Sequence, residues 1–337
     1  MRILITGSNG YIGNALVSAL IPYNHDLFCV DSGARHEWVK SVGGISLTHY
    51  PSNRFFLSEL TLYEETRRIL LWHQPELIIH LASQPSGPFS ELDHKHRVFT
   101  QQNNVTILEH LLNASNDLSL SPRFIVTTTT GIPGAPGEPI VEGYTQNSAG
   151  SEYHMTRGWD SDNLRLAVRQ WKINVLELRT SIVYGTRVYN LDFPVTRFDW
   201  DFCFGTVLHR FLLMKKLGRP VMVYGKGEQK KPFISLRDTV QSLVNAVDCK
   251  FMGHEIMNQT AECISILDIA KKIGAEIKHI ENPRIEKEDH QMIIHNEKFM
   301  RLLNKQPFDM SEDADLTFTD IDTSLLPEHW ERAYHGK

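Results

Sequence analysis

Short apolar runs alternate with helix-spaced apolar positions through the first 185 residues of the chain. The apolar runs predict β-strands at residues 1–5, 26–30, 55–60, 75–83, 123–130 and 173–185. Helical spacing between them predicts helices at residues 11–21, 61–74 and 96–115. Strands and helices that take turns over this length predict a doubly wound parallel sheet of the α/β class.

The segment TGSNGYIG is a glycine-rich turn between the first predicted strand and the first predicted helix. Glycines at such a turn allow a tight bend, close approach of the backbone to a pyrophosphate, and close packing of helix on strand. The turn is therefore predicted to bind a dinucleotide through Gly7, Gly10, Tyr11, Ile12 and Gly13.

An acidic residue follows the second strand at the spacing that ribose binding requires. Asp31 lies about twenty residues beyond the glycines, and its carboxylate is expected to bind the ribose 2′ and 3′ hydroxyls. An acid at this place repels a 2′-phosphate and favours NAD, while Arg35 leaves NADP open as the alternative. Glu59, which could accept from the adenine amine or be a solvated loop acid, completes the predicted cofactor site with Leu81 and Ala82.

Composition excludes several other classes of protein. The chain has 337 residues, 41% of them hydrophobic, and a formal net charge of -5, so no overall field attracts nucleic acid or an anionic membrane. No apolar run is long enough to span a bilayer. The four cysteines lack metal-like spacing, so we expect no metal site and a cytoplasmic location.

The turn pattern and several later segments resemble one family of enzymes. TGSNGYIG resembles the TGxxGxxG of the extended short-chain dehydrogenases/reductases, the family of sugar-nucleotide epimerases and dehydratases. HLASQPSGPFS, QQNNVTILEHLL, FGTVLHRF, VMVYGKGEQKKPFISLRDTV and ENPRIE are similar to its UDP-sulfoquinovose synthase branch. The resemblance implies a Rossmann domain at 1–185, with 234–258 returning to it. A smaller C-terminal α/β substrate-binding domain would comprise 186–233 and 259–337.

The resemblance also implies a catalytic group. In the family, a Tyr with a Lys four residues later removes the proton from the C4 hydroxyl of a nucleotide-bound hexose, assisted by a strand-end Thr. Here the matching positions are Tyr153, followed by His154 as in the sulfoquinovose branch, and Thr129. The fourth residue after Tyr153 is Arg157, which keeps the positive charge and could lower the Tyr153 pKa in the same direction.

A second departure concerns elimination of the C6 hydroxyl. Ile132 occupies the place where the branch has an acid shortly after the strand Thr. Elimination would then need another group, for which the candidates are His154, Glu152, Asp199 and Asp201.

Residues on the substrate side are also assigned by resemblance. The irregular segment after residue 185 and the C-terminal quarter would cover the nucleotide, and the last thirty residues are assigned no role. We expect Arg237 and Asp238 to form a structural pair. The predicted substrate-binding residues are Gln84, Ser86, Asn104, Thr130, Arg197, His209, Arg210, Lys231 and Arg284.

Three functional interpretations remain open. The first is an NAD-dependent enzyme that oxidises C4 of a nucleotide-bound hexose, UDP-glucose or similar, and continues with chemistry at C5 and C6. The second is a 4-epimerase or C4 reductase, which needs no elimination acid. The third is a non-catalytic subunit that binds NAD and a nucleotide. The family resemblance implies a homodimer formed through the helices near 95–112 and 152–172.

Overall fold

A computed structural model describes residues 1–41, 55–134, 138–189, 191–281 and 291–336. Within these ranges, seven strands form one sheet in which every neighbouring pair is parallel. From one edge to the other, the strands are β3 (Phe55–Leu57), β2 (Asp26–Asp31), β1 (Arg2–Thr6), β4 (Leu77–His80), β5 (Arg123–Thr129), β6 (Val175–Thr180) and β10 (His254–Gln259). The predicted doubly wound α/β fold is confirmed.

Helices cover both faces of this sheet. The helices of this part of the fold are α1 (Tyr11–Leu20), α2 (Ala34–Ser41), α3 (Tyr63–His73), α4 (Gly87–Ser90), α5 (His94–Asp117), α6 (Glu152–Trp171), α8 (Leu236–Asp248) and α10 (Glu297–Leu303). Alternate residues of β1 separate the two layers: Ile3 and Ile5 pack on one side with α1 and α8, whereas Leu4 packs on the other with α3 and α5.

A second core lies beyond the carboxyl ends of the strands. Trp200 and Phe233 are fully buried in it, and in the described part of the chain it is built on two small sheets and four helices. One sheet contains β7 (Ile182–Tyr184), β9 (Lys230–Ser235) and β11 (Glu262–Ser265), and the other contains β8 (Val221–Tyr224) and β12 (Ile277–Ile280). The helices are α7 (Val207–Lys216), α9 (Ile266–Lys272), α11 (Met310–Asp320) and α12 (Trp330–His335).

The single strand predicted at 173–185 is wrong, because the chain forms two strands there. β6 stays in the large sheet, whereas β7 pairs with β9 in the three-stranded sheet. Ser181 lies at the break, where its N–H donates to Gln259 O at 3.2 Å. Both halves are apolar, so hydrophobicity alone could not reveal the change of sheet.

The last thirty residues, to which the sequence interpretation assigned no role, contribute to the second core. Met310 and Ala314 of α11 and Tyr334 of α12 are buried in the second core. The proposed boundaries near 185, 233 and 258 remain a prediction, although α8 packs on α1 and β10 pairs with β6 in the large sheet.

Candidate active site

The glycine turn places the amino end of α1 at the carboxyl edge of the large sheet. Gly7 has φ +70°, and a Cβ there would lie 2.6 Å from Ala82 N. A Cβ on Gly13 would lie 2.1 Å from Gly7 O. Only glycine therefore allows the turn to contact both the helix and the segment after β4. The N–H groups at the start of α1 form an anion site of the kind that binds pyrophosphate.

A cavity of about 2240 Å³ lies between the carboxyl ends of the strands and the second core. Most of the sequence-predicted site residues line it, which places the glycine turn and the catalytic candidates in one space. These are Gly7, Gly10, Tyr11, Ile12, Gly13, Asp31, Arg35, Glu59, Leu81, Ala82, Gln84, Ser86, Thr129, Thr130, Tyr153, His154, Arg157, Arg197, Arg210 and Lys231. Arg284 lies outside the described residues.

Asp31 lies at the end of β2, beside the glycine turn. Its two carboxylate oxygens accept from the N–H groups of Asn9 and Gly33, at 2.9 and 2.8 Å. Burial raises the Asp31 pKa, and these two hydrogen bonds oppose the rise. The carboxylate is thus held in a fixed position at the cavity wall. Glu59, which is exposed, also lines the cavity and accepts from the Thr61 hydroxyl at 3.0 Å.

Arg35 is held by the segment that follows β7. Its guanidinium donates to Asp199 Oδ1 at 2.9 Å, and its Cζ lies 3.4 Å from the centroid of the Phe204 ring. Arg197 binds the same carboxylate and also donates to Asn9 O at 3.0 Å. Because a carboxylate already offsets the Arg35 charge, this arrangement weakens the case for a 2′-phosphate site.

Tyr153 and Thr129 both line the cavity. Tyr153 is in the first turn of α6, which Ser151 caps, and Thr129 is the last residue of β5. Desolvation raises the Tyr153 pKa, whereas Arg157 and the Thr129 hydroxyl lower it. Arg157 therefore acts in the predicted direction, but burial of the phenol outweighs it.

The Arg157 side chain is buried beneath this pair. Its Nη1 lies 2.6 Å from Asp160 Oδ2, and its Nη2 donates to Thr127 O at the carboxyl end of β5. Arg157 and Asp160 are 1% and 0% exposed, so both charges are desolvated. Burial raises the Asp160 pKa to about 7, against the effect of Arg157.

His154 lies beside Tyr153, with the two ring centroids 4.9 Å apart. Its Nδ1 is 2.6 Å from Ser151 Oγ. Burial first, and the charge of Lys231 second, lower the His154 pKa to about 4, so the imidazole is neutral near pH 7. A Cβ on Gly131 would lie 2.3 Å from His154 Cδ2, so glycine at 131 leaves the space that this ring occupies.

The other candidates for the elimination acid are less suitably placed. Position 132, where the branch has an acid, is occupied by a buried isoleucine that is 1% exposed. Glu152 accepts from the Gln101 side chain and does not line the cavity, nor does Asp201. Asp199 lines the cavity, but Arg35 and Arg197 both bind its carboxylate. Among these candidates His154 alone lines the cavity without such an ion pair in the described residues.

On the substrate side, Asn104 and His209 lie behind the cavity wall. Asn104 is fully buried; its Oδ1 accepts from Gln84 N at 2.7 Å and its Nδ2 donates to Gln84 O at 3.1 Å. His209 Nε2 accepts from Gly185 N at 3.0 Å. Both side chains therefore position the backbone of cavity-lining segments, a role that the sequence interpretation did not assign to them.

Other substrate-side residues reach the cavity itself. The Ser86 hydroxyl donates to Cys203 O, which joins the segment after β4 to the segment before α7. Arg210 donates to Tyr334 O at 3.0 Å, and its Cζ lies 4.5 Å from the Tyr334 ring centroid. Thr130 N donates to Thr180 O at 3.3 Å. Lys231 is on β9 and lines the cavity near His154.

The chain matches the model of the NAD dependent epimerase/dehydratase family over residues 3–258. It is 31% identical to a UDP-sulfoquinovose synthase of Sulfolobus acidocaldarius, over 86% of this chain and 84% of that one. It is 30% identical to the chloroplastic UDP-sulfoquinovose synthase of Spinacia oleracea, over 86% and 69% of the respective chains. The chain belongs to the NAD-dependent epimerase/dehydratase family. The resemblance noted from the turn pattern is thereby confirmed.

A solved structure agrees with this assignment at the level of the fold. The UDP-glucuronic acid 4-epimerase of Bacillus cereus, determined with UDP-glucuronic acid and NAD, superposes with a TM-score of 0.75 at 21% identity. The match covers 95% of this chain and 98% of that one.

The NAD that the family uses fits the residues present. The glycine turn leaves no room for a Cβ at Gly7 or Gly13, and the amino end of α1 opens into the cavity beside Asp31. Gly10 is the N-cap residue of α1 and has no side chain that could cap the helix. The first helical N–H groups are therefore available to a ligand.

Several features of the site were not predicted from the sequence. Tyr334 and His335 of α12 line the cavity, although the C-terminal segment carries no recognisable pattern. Asp160 was missed too, although an acid three residues after Arg157 on one helix is a signal that could have revealed it. The predicted pair of Arg237 and Asp238 is wrong: Arg237 binds Asp313 at 3.4 Å, and Asp238 binds Lys305 at 2.9 Å.

The described ranges contain neither a helix that could span a membrane nor a cluster of side chains that could hold a metal ion. Each helix there is too short or too polar to cross a bilayer. No group of three or more His, Cys, Asp or Glu side chains is arranged there to hold a metal ion.

Proposed function

We propose that the protein binds NAD and a nucleoside-diphosphate hexose, with UDP-glucose as the first candidate, and begins its cycle by oxidising C4 of the hexose. The observation that carries the proposal is that Tyr153 and Thr129 line the same cavity as the glycine turn. The UDP-sulfoquinovose synthases among its relatives support a UDP-linked substrate.

The protein's own groups would move the proton in this step. Tyr153, as phenolate, accepts the proton of the C4 hydroxyl, and the Thr129 hydroxyl stabilises the phenolate by donating to it. Bound NAD supplies the acceptor for the hydride that leaves C4. The product of the step is a C4 ketone, which acidifies the C5 hydrogen.

The ketone opens the chemistry at C5 and C6. Loss of the C5 proton and the C6 hydroxyl as water leaves an unsaturated ketone, to which sulfite can add at C6 before hydride returns to C4. We assign the acid for this elimination to His154, since it is adjacent to Tyr153 and its Nδ1 is held by Ser151. A neutral imidazole can take up the C5 proton, and the imidazolium formed in this way can return that proton to the departing C6 hydroxyl, which leaves as water.

One observation favours a second candidate function. Ile132 fills its position with a buried apolar side chain, and a 4-epimerase or C4 reductase needs no elimination acid there. In a 4-epimerase the hydride would return to the opposite face of C4, and no water would be lost.

The protein is proposed to act as a homodimer in the cytoplasm. Phe99 on α5 is 42% exposed, and Trp159 and Leu166 on α6 are 37% and 41% exposed, so these adjacent helices present apolar surface for a second copy. All four cysteines are free thiols, as expected in a reducing compartment.

Product analysis distinguishes the candidate functions. NAD-loaded protein would be incubated with UDP-glucose, with and without sulfite, and the nucleotide sugars separated and weighed by mass spectrometry. Water loss, or a sulfonated product when sulfite is present, is the expected result. A product of unchanged mass with C4 inverted would establish the epimerase instead, and an unaltered substrate would contradict both.

A further inference from the structure

The site contains a buried ion pair, Arg157 with Asp160, on the same helix as the proposed base Tyr153. Arg157 and Asp160 are one helical turn apart on α6, with 2.6 Å between Nη1 and Oδ2. Their side chains are 2% and 0% exposed. Removing one partner of such a pair leaves the other charge buried and uncompensated, which is strongly destabilising. An arginine at this buried position therefore depends on a nearby carboxylate.

Other charged groups surround the pair, but most have partners of their own. Glu177 of β6 accepts from Thr128 and Ser161, both at 2.8 Å, and from Arg179 at 3.2 Å. It also binds His254 of β10, at 2.8 Å. This network leaves Asp160 as the carboxylate that faces Arg157.

Two more titratable groups lie within electrostatic reach of the pair. Glu109 of α5 acts on Asp160 and raises its pKa. His80 of β4 is fully buried, and burial and the Arg157 charge lower its pKa to about 3, so it is neutral near pH 7. His154, with a pKa of about 4, is also neutral there. The charge that reaches Tyr153 is therefore set mainly by Arg157 and Asp160.

We propose that Asp160 is a positioning residue: it holds the Arg157 guanidinium against the end of β5 and offsets the charge that Arg157 presents to the Tyr153 phenol. Arg157 Nη2 donates to Thr127 O while Nη1 faces Asp160, so two sides of the guanidinium are fixed below the phenol. The two charges act on Tyr153 in opposite directions. The inference rests on the proposed role of Tyr153 as the base.

The test is a titration of Tyr153 that needs no substrate. NAD-loaded protein carrying ¹³C at the tyrosine Cζ would be titrated by NMR, with the Tyr153 resonance assigned by its absence in Tyr153→Phe. In Asp160→Asn the Arg157 charge is no longer offset, so the midpoint should fall by about 1 pH unit. An unchanged or higher midpoint would overturn the proposal.

A matched control exists on the same helix. Asp162 forms an i,i+3 pair with Arg165 at 3.0 Å, but both side chains are largely exposed, at 42% and 55%. Asp162→Asn should leave the Tyr153 midpoint unchanged because solvent screens that charge. A shift equal to that of Asp160→Asn would mean that any acid removed from α6 has the effect, and would refute the specific role.

A second pair of variants provides the test if Asp160→Asn alone folds poorly. The double variant Arg157→Lys, Asp160→Asn is compared with Arg157→Lys alone, and the midpoint should again be lower in the double variant. Equal midpoints would overturn the proposal. The titration is independent of turnover: an active Tyr153→Phe enzyme would refute the proposed base, whereas an unmoved midpoint would refute the role of Asp160.

Discussion

At the level of single residues, opposing effects act on the pKa of the Tyr153 phenol. Desolvation by the surrounding protein raises its pKa, while Arg157 and the Thr129 hydroxyl lower it. A base for the C4 hydroxyl must lose its proton near neutral pH, so the balance of these effects decides whether the site can work. The positive charge of the oxidised nicotinamide ring of NAD would favour the phenolate further.

Replacing Tyr153 by Phe removes the proton acceptor and leaves the ring in place. We expect turnover of the sugar nucleotide to fall by about 10³-fold, the usual range for loss of a general base, while NAD remains bound. Steady-state rates and the NAD content of the purified variant measure both effects. Wild-type turnover in Tyr153→Phe would remove this residue from the mechanism.

Gly13→Ala should abolish tight NAD binding. The added Cβ would lie 2.1 Å from Gly7 O, so the turn must open and the start of α1 must move. Gly143→Ala is the matched control, because no atom lies within 4 Å of the Cβ it would add. Calorimetric titration with NAD measures the difference, and equal affinities in the two variants would contradict the assigned role of the turn.

Between elements, the segment after β7 joins the glycine turn to the second core. Asp199 binds both Arg35 and Arg197, and Arg197 also binds Asn9 O in the turn itself. Phe204 lies against Arg35. These contacts cross the cavity beside the proposed cofactor site, so we expect this segment to hold NAD in place.

Asp199→Asn should speed the release of NAD by about tenfold, because a neutral amide attracts the two guanidinium groups less strongly than a carboxylate does. Release would be followed after dilution into excess competing nucleotide. Asp320→Asn is the control, since Asp320 accepts from Arg187 at a site that does not line the cavity. Unchanged release in Asp199→Asn would show that the segment does not retain the cofactor.

The sequence predicted β1 to β6 of the large sheet, since apolar runs and helical spacing are local signals, but it predicted no strand at the position of β10. The sequence could not predict contacts between elements that lie far apart along the chain. β7 is as apolar as β6, and only its partner β9 explains why it leaves the sheet. Arg237 and Asp238 are adjacent on α8, so their side chains point apart and each meets a different helix or loop.

Within the site, the glycine turn and the Tyr153–His154 pair could be recognised in the sequence because both are short motifs. Asn104 and His209 were expected to contact substrate. Their side chains hold backbone N–H groups behind the cavity wall, and the local sequence does not distinguish a polar residue behind the wall from one that lines it. Tyr334 reaches the cavity from α12, far away in the sequence, so no local pattern could place it there.

Over the molecule as a whole, buried histidines couple stability to pH. Burial lowers the pKa values of His154 and His209 to about 4 and that of His80 to about 3. In the unfolded chain these groups take up protons near pH 6.5, so the unfolded state binds more protons as the pH falls. The free energy of unfolding should therefore decrease from about pH 6.5 towards pH 4.

His209→Asn tests this coupling at a position that does not line the cavity. Wild type should lose about 2 kcal/mol more stability than the variant between pH 7.5 and pH 5, which is the contribution of one such histidine. Denaturant unfolding at the two pH values measures both losses. Equal losses would show that His209 is not held neutral in the folded protein.

The most direct test of C4 oxidation is isotope exchange in heavy water. NAD-loaded protein would be incubated with UDP-glucose without sulfite, with Tyr153→Phe as the control, and the recovered nucleotide sugar examined by mass spectrometry. We predict deuterium at C5 or loss of water with the wild-type protein, and neither with the variant. Recovery of UDP-glucose without deuterium, water loss or inversion at C4 would contradict the proposed function.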